Sequence, residues 1–285
     1  MRRFLKRRIN RFLPDRLRSS IKRRFNAKFA EPVGLNVTVE REGDALRCTI
    51  ANVCSFLAPL SCQAGLANFT DSPEGRAEFA NIARAAQTGG ALFDIGAHSG
   101  LISAIFCAAN SMNKAFSFEP SPILTERLFS IRELNQFGER MRVEQIGIGE
   151  SSKTVKMILD PAGGFIQPEH FDHTMWATPQ AISVRMESIA DTASRLAVIP
   201  QFIKIDIESY EFEVIKGATQ FLSRHKPEIF LEVHLNYLEQ RSLSAKALIG
   251  MLRQCGYDLY TLAGARLKAS DVYDSPLPTV HVVAR

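Results

Sequence analysis

Beyond Gly89 the chain alternates short apolar runs with stretches of helical periodicity. The runs ALFDI, KAFSFE, RVEQIGI, FIKIDI and EIFLEVH read as strands, and the segments between them, about 10–15 residues long, read as helices. This alternation predicts a largely parallel sheet with helices on both faces. TVHVVAR, coming after LYTL, suits an antiparallel edge strand. Upstream, VGLNVTVE and ALRCTI flank REGD and predict a β-hairpin that turns near Glu42–Asp44. Residues 73–87 predict a helix, and Gly89–Gly90 a boundary. At the N-terminus Phe4, Leu5, Ile9, Phe12, Leu13, Leu17, Ile21 and Phe25 recur at three- and four-residue steps among Arg and Lys. That spacing predicts a basic amphipathic helix, with Pro14 as a break. The expected organisation is an N-terminal extension over 1–29, a small hairpin-and-helix cap over 30–88 and a main α/β domain over 89–285.

Charge changes this picture in one respect. The chain of 285 residues carries a formal +5, but residues 1–28 hold twelve of its 35 Lys and Arg and one of its 30 acids. The tail is therefore +11 and the remainder −6. An anionic membrane surface is the candidate partner of residues 1–28. No nucleic-acid partner is expected, because no recognised motif or set of stacking aromatics accompanies the charge. No run approaches the roughly 20 apolar residues of a membrane span, and no apolar signal segment follows the basic start. Five cysteines without paired C-x-x-C spacing suit reduced thiols. A cytoplasmic protein is expected, peripheral at the inner membrane face if the tail binds lipid.

The sharpest motif is ALFDIGAHSGLISAIFCAA, where a strand ends near Asp94, turns through Gly96 and Gly100, and enters a helix. Gly96 permits a tight turn with close ligand approach, and Gly100 permits close packing of the helix. The G-x-x-x-G spacing lacks the third glycine of the dinucleotide fingerprint, and no phosphate-binding G-x-x-x-x-G-K-[ST] run is present. About 20 residues on, Glu119 ends the next strand, where a carboxylate can accept ribose hydroxyls. Enzymes that bind NAD place an acid there too, so Glu119 alone does not choose the cofactor.

Together with IKIDIESYEFEVIKGATQFLSRHKPEIFLEVH, the motifs FDIGAHSG and FSFEPSP make residues 90–262 resemble the FkbM family of S-adenosylmethionine-dependent methyltransferases. The resemblance implies a Rossmann-like class I methyltransferase fold, doubly wound around a mostly parallel seven-stranded sheet. It also implies O-methylation of a sugar, glycan or other small molecule, with S-adenosylmethionine as cofactor. Cofactor contacts are implied at Asp94, Gly96, Ala97, His98, Gly100, Glu119, Gly147, Ile148 and Asp206. An acidic active-site group is implied at Asp206, Glu208 and Glu211. His98 stands where the family commonly has Asn, and Ser209 where it has Gly in D-x-E-G-Y-E.

Methyl transfer to a hydroxyl needs an acceptor held in line and a group to take its proton. Asp206, at a strand end, and Glu208 are candidates for positioning, and His234, ending EIFLEVH, is the candidate base. Glu211, at the start of the next helix, is expected to contact substrate. So are His173 and Trp176, in a Gly- and Pro-containing stretch that reads as a substrate loop. Asp206, Glu208 and Glu232 offer oxygens of the kind Mg²⁺ takes, but the spacing does not require a metal and none is expected. The competing readings are an NAD-dependent oxidoreductase and a non-catalytic membrane-associated protein that keeps the fold.

Overall fold

The computed structural model describes residues 36–159, 164–166, 180–208 and 210–285. The expected basic helix over 1–29 lies outside the described residues. β1 (Val37–Glu42), β2 (Ala45–Ile50) and β3 (Cys54–Pro59) form an antiparallel cap sheet in that order, so the expected hairpin gains a third strand. α1 (Gln63–Asp71) and α2 (Pro73–Gln87) follow. α2 starts where the sequence signals it: Ser72 Oγ accepts the Gly75 N–H at 2.9 Å, and Pro73 presets the first turn.

Along the chain then come β4 (Ala91–Ile95), α3 (Leu101–Ala109), β5 (Lys114–Phe118), α4 (Pro122–Leu134), β6 (Met141–Glu144) and β7 (Gly147–Ile148). β8 (Lys153–Leu159), β9 (Gly164–Ile166), β10 (Gln180–Glu187), α5 (Ile189–Leu196), β11 (Phe202–Ile205) and α6 (Glu211–His225) continue. β12 (Glu228–His234), α7 (Leu235–Gln240), α8 (Ala245–Gln254), β13 (Leu259–Tyr260), β14 (Arg266–Leu267), α9 (Ala269–Tyr273) and β15 (Thr279–Ala284) complete it.

The central sheet runs β14-β13-β15-β12-β11-β4-β5-β6, parallel from β12 to β6 and antiparallel at the other end. It is a mixed, mostly parallel sheet, with eight strands where seven are expected. β15 is not the edge either: it pairs β12 on one side and β13 on the other, and the extra pair β13 and β14 buries Leu259 and Leu267. The run RVEQIGI is two strands rather than one. The Ile146 N–H folds back to the Glu144 carbonyl at 2.9 Å, which ends β6 and sends β7 into a separate sheet ordered β7-β10-β8-β9.

Two cores lie on opposite faces of the central sheet, as period-2 alternation requires. Phe93, Ile95, Ile203, Ile205, Leu231 and Val282 belong to one. Leu92, Phe202, Phe230 and Val283 join residues of the cap sheet, α2 and α3 in the other. On that second face, nearer the C-terminal ends of the parallel strands, the same alternation brings up Asp94, Lys204 and Glu232, with His281 in register with Glu232. A charged tier thus sits directly above an apolar one, beneath the cap.

One side chain ties the cap to the main sheet's flank. Asn135 Oδ1 accepts the Leu57 N–H at 2.7 Å, and its Nδ2 donates to the Leu57 carbonyl at 2.7 Å, completing both backbone groups on the open side of β3. Removing it leaves two part-buried peptide groups without that partner. Asn135→Ala is expected to cost about 2–3 kcal/mol, read as a lower urea midpoint at unchanged slope.

Candidate active site

β4 ends at Ile95, and the chain turns through Gly96 and Gly100, both left-handed at φ +80° and +84°. What enforces glycine at both is the protein's own packing. A Cβ on Gly96 would lie 1.9 Å from the Asp206 carbonyl oxygen, and one on Gly100 would lie 2.6 Å from Leu128 Cδ2. The turn is pinned to β5, because the Gly96 and Ala97 N–H groups donate to the Phe118 carbonyl at 3.0 and 3.1 Å. His98, exposed at φ +50°, is also left-handed; Asn and His are among the residues that tolerate this region best, which gives its departure from the family's Asn a backbone reason.

Glu119 stands in register with this turn. Its carboxylate accepts the His98 N–H and the Ser121 N–H, each at 2.9 Å, while the residue is only 5% exposed. Burial lifts its carboxyl to about 7 even though both amides oppose the shift. Asp94 faces inward. It accepts Ser103 Oγ at 2.6 Å, and burial raises its carboxyl to about 6. Gly147 and Ile148 form β7 and are both buried, with Ile148 in the same core as Phe118.

The strand ends bring the expected acidic group together around one imidazole. His234 Nδ1 lies 2.7 Å from Glu211 Oε1, and its Nε2 lies 3.6 Å from Glu208, 3.6 Å from Glu232 and 3.8 Å from Asp206. Burial alone would lower its pKa, but the Glu211 hydrogen bond and the surrounding carboxylates raise it to about 9. His234 is therefore an imidazolium at neutral pH in the free protein. Glu211, expected to contact substrate, is wholly buried, with Oε1 against His234 Nδ1. Glu208 is half exposed and left-handed at φ +51°. Tyr237 stacks on the His234 ring with centroids 5.8 Å apart. His173, Trp176 and Ser209 lie outside the described residues.

Sequence reasoning passed over Lys204, Glu78, Tyr237 and His281. Lys204 is 3% exposed, with its Nζ 2.7 Å from Glu78 Oε1 on α2, 3.6 Å from Asp206 and 3.8 Å from Glu232. The signal was there: a lone Lys between Ile203 and Ile205 in a strand buried on both faces has to find a carboxylate. Asp206, Glu232 and His234 each offer a ligand atom within 4.8 Å of the others, close enough to share a cation. The Lys204 ammonium is a cation already beside two of them.

A strand-to-helix turn closed over Asp206, the Glu119 carboxylate in register with it and acids at the strand ends thus gather at one edge of the parallel strands. The fold is a methyltransferase-like α/β fold. Residues 94–259 match the methyltransferase FkbM domain, more than half of the chain, and the protein belongs to that family. No curated protein matches it. Among solved structures it is similar to a methyltransferase FkbM from Methylobacillus flagellatus KT, at 20% identity and a TM-score of 0.42, covering 69% of this chain and 43% of that one. The present chain thus spans less than half the length of that relative. A precorrin-6y C5,15-methyltransferase from Geobacter metallireducens GS-15 is similar at 12% identity and TM-score 0.39, over 75% of this chain and 87% of that one. A SAM-dependent methyltransferase from Agrobacterium tumefaciens is similar at 9% identity and TM-score 0.42, over 86% and 70%. The family assignment sets aside the NAD-dependent reading. Among the described residues no helix is long and apolar enough to cross a membrane.

Proposed function

We propose that the protein methylates a hydroxyl oxygen of a sugar, glycan or other small molecule. The observation that carries this is the His234–Glu211 pair at the C-terminal edge of the parallel strands, beside the carboxylates of Asp206 and Glu208. S-adenosylmethionine supplies, when bound, a methyl group on a positively charged sulfur. Gly96, Ala97, His98 and Gly100 shape its seat, Glu119 accepts from its ribose, and Gly147 and Ile148 line its adenine side. Asp206 faces the charged sulfur and Glu208 steadies the acceptor. Glu211 fixes the ring orientation of His234 through Nδ1, so Nε2 is the atom turned toward the acceptor. A positive charge brought beside Asp206 offsets the carboxylates that hold the His234 proton. The ring would then release its Nε2 proton to solvent, and the neutral imidazole would take the acceptor hydroxyl's proton at Nε2.

Mass spectrometry of glycan and lipid-linked extracts incubated with isotope-labelled S-adenosylmethionine tests this. An O-methylated product is expected, with transfer slowed about 10²–10⁴-fold by His234→Ala. Label found only on nitrogen or carbon, or a His234→Ala variant as fast as wild type, would overturn the reading. Glu119→Gln is expected to weaken S-adenosylmethionine binding at least about tenfold in a calorimetric titration, because the amide NH₂ meets a backbone donor and one acceptor is lost. We also propose that residues 1–28 attach the enzyme to anionic membrane. Deleting them should abolish co-sedimentation with phosphatidylserine vesicles, and unchanged sedimentation would remove this role.

A further inference from the structure

We propose that Lys204, anchored by Glu78, is a positioning residue that keeps the Asp206 carboxylate anionic and in place, and so sets how strongly the site prefers a charged methyl donor over its neutral product. This rests on the reading that Asp206 faces the charged sulfur.

β11 is buried on both faces, and an apolar side chain at 204 would cost nothing in desolvation. An ammonium there must be compensated, and the compensation comes from an element remote in sequence: Glu78 on the cap helix α2, at 2.7 Å. Glu78 is itself 5% exposed. The Lys204 Nζ is thereby held 3.6 Å from Asp206 Oδ2 and 3.8 Å from Glu232 Oε2. Both distances exceed hydrogen-bond length, so Lys204 acts on these carboxylates by charge rather than by a direct bond. Asp206 and Glu232 are too close for both to ionise freely: burial and Asp206 hold a proton on Glu232, which leaves Asp206 as the charged member above the Lys204 ammonium. Against burial, Lys204 is the largest of the groups that keep the Asp206 carboxyl below its usual range, ahead of His234, the Glu232 hydrogen bond and His281. The Asp206 backbone abuts Gly96, so the carboxylate Lys204 controls is the one beside the cofactor turn. The cap helix therefore does more than cover the sheet. Through Glu78 it holds the cation that tunes the strand-end acid.

The test is a calorimetric comparison of S-adenosylmethionine and S-adenosylhomocysteine, which differ in the charge on sulfur, using the full chain. The double variant Lys204→Met/Glu78→Met removes the pair without stranding either charge, and such replacements commonly keep the fold. The preference for S-adenosylmethionine is expected to fall about tenfold, with S-adenosylhomocysteine affinity changed less than about twofold. A purely structural pair would weaken both ligands together or neither. An unchanged ratio in a variant with the wild-type melting temperature overturns the proposal. Glu78→Gln keeps the lysine and loosens its anchor, and provides the second variant should the double one fail to fold. It is expected to move the ratio in the same direction, and an unchanged ratio there overturns the proposal equally. Asp206→Asn in the same assay separates the two levels. A ratio untouched by Asp206→Asn removes the reading that Asp206 faces the sulfur, whereas a ratio lowered by Asp206→Asn but not by the Lys204 and Glu78 variants removes only the role of Lys204.

Discussion

Gly96→Ala is expected to abolish measurable S-adenosylmethionine binding and to destabilise the domain by about 3–5 kcal/mol, the sum of overpacking and of a left-handed alanine. The added Cβ would sit 1.9 Å from the Asp206 carbonyl oxygen, 2.7 Å from Ile207 Cγ2 and 2.9 Å from the Asp206 carbonyl carbon. Two of these three atoms are backbone, at the end of a central parallel strand, so no rotamer change relieves the clash. The β4 turn must separate from the end of β11, and that separation moves the turn, Asp206 and Glu208 relative to one another. Gly43→Ala supplies the control, because its φ of +60° carries the same backbone strain but a Cβ there meets nothing within 4 Å. It should lose about 1 kcal/mol and leave cofactor affinity unchanged. At roughly 2–4 °C per kcal/mol for a chain of this size, thermal melting resolves the two variants, and calorimetric titration reads binding. A Gly96→Ala protein that binds as tightly as wild type would mean that contact between the turn and Asp206 does not shape the site.

The parts of the fold that were legible in the sequence are those where one local rule operates alone. Ser72–Pro73 and Ser121–Pro122 announce α2 and α4, and ALFDI and EIFLEVH are apolar because β4 and β12 are buried on both faces. Legibility failed where two rules overlap. RVEQIGI has continuous strand character, and only the backward turn of Ile146 onto Glu144 divides it between sheets. In β8 and β10, lysines and an arginine interrupt short apolar stretches, and the two strands pair with each other, a long-range match that no local pattern encodes. The site divides in the same way. Asp206, Glu208 and His234 end strands or follow them, and strand ends are where the topology gathers ligands. Glu211 occupies a helix start, where an acid looks outward by the dipole argument, yet the helix approaches β12 so closely that its carboxylate is sealed against His234. Lys204 was visible as an anomaly in FIKI, but Glu78, its partner, lies more than a hundred residues away.

Between pH 6.5 and 9 the free protein is expected to lose about 3 kcal/mol or more of stability, and S-adenosylmethionine is expected to reduce that loss. His234 is one of two sources. Burial opposes its charge, but Glu211 and the neighbouring acids raise its pKa from 6.5 to about 9, so the folded state binds this proton more tightly than the unfolded chain does. A raised folded-state pKa gives stability that is complete below the unfolded value and is lost as pH climbs through the folded one. Two and a half pKa units correspond to about 3 kcal/mol. Glu232 acts in the same direction: burial and Asp206 push its carboxyl far up, so the folded state retains a proton that the unfolded chain has already released. Asp206 has the opposite shift, driven down by Lys204 and His234 against burial, and its contribution is already complete above pH 4, so it does not alter the slope in this window. Urea midpoints measured from pH 6 to 9.5 should therefore fall steadily. His234→Gln should make the curve shallower, since it removes one of the two titrating groups, and a saturating positively charged cofactor should reduce the slope by taking over the role of the bound proton. A wild-type curve level from pH 6.5 to 9, or one equally steep in His234→Gln, would show that the carboxylates around this imidazole do not hold its proton in the folded state.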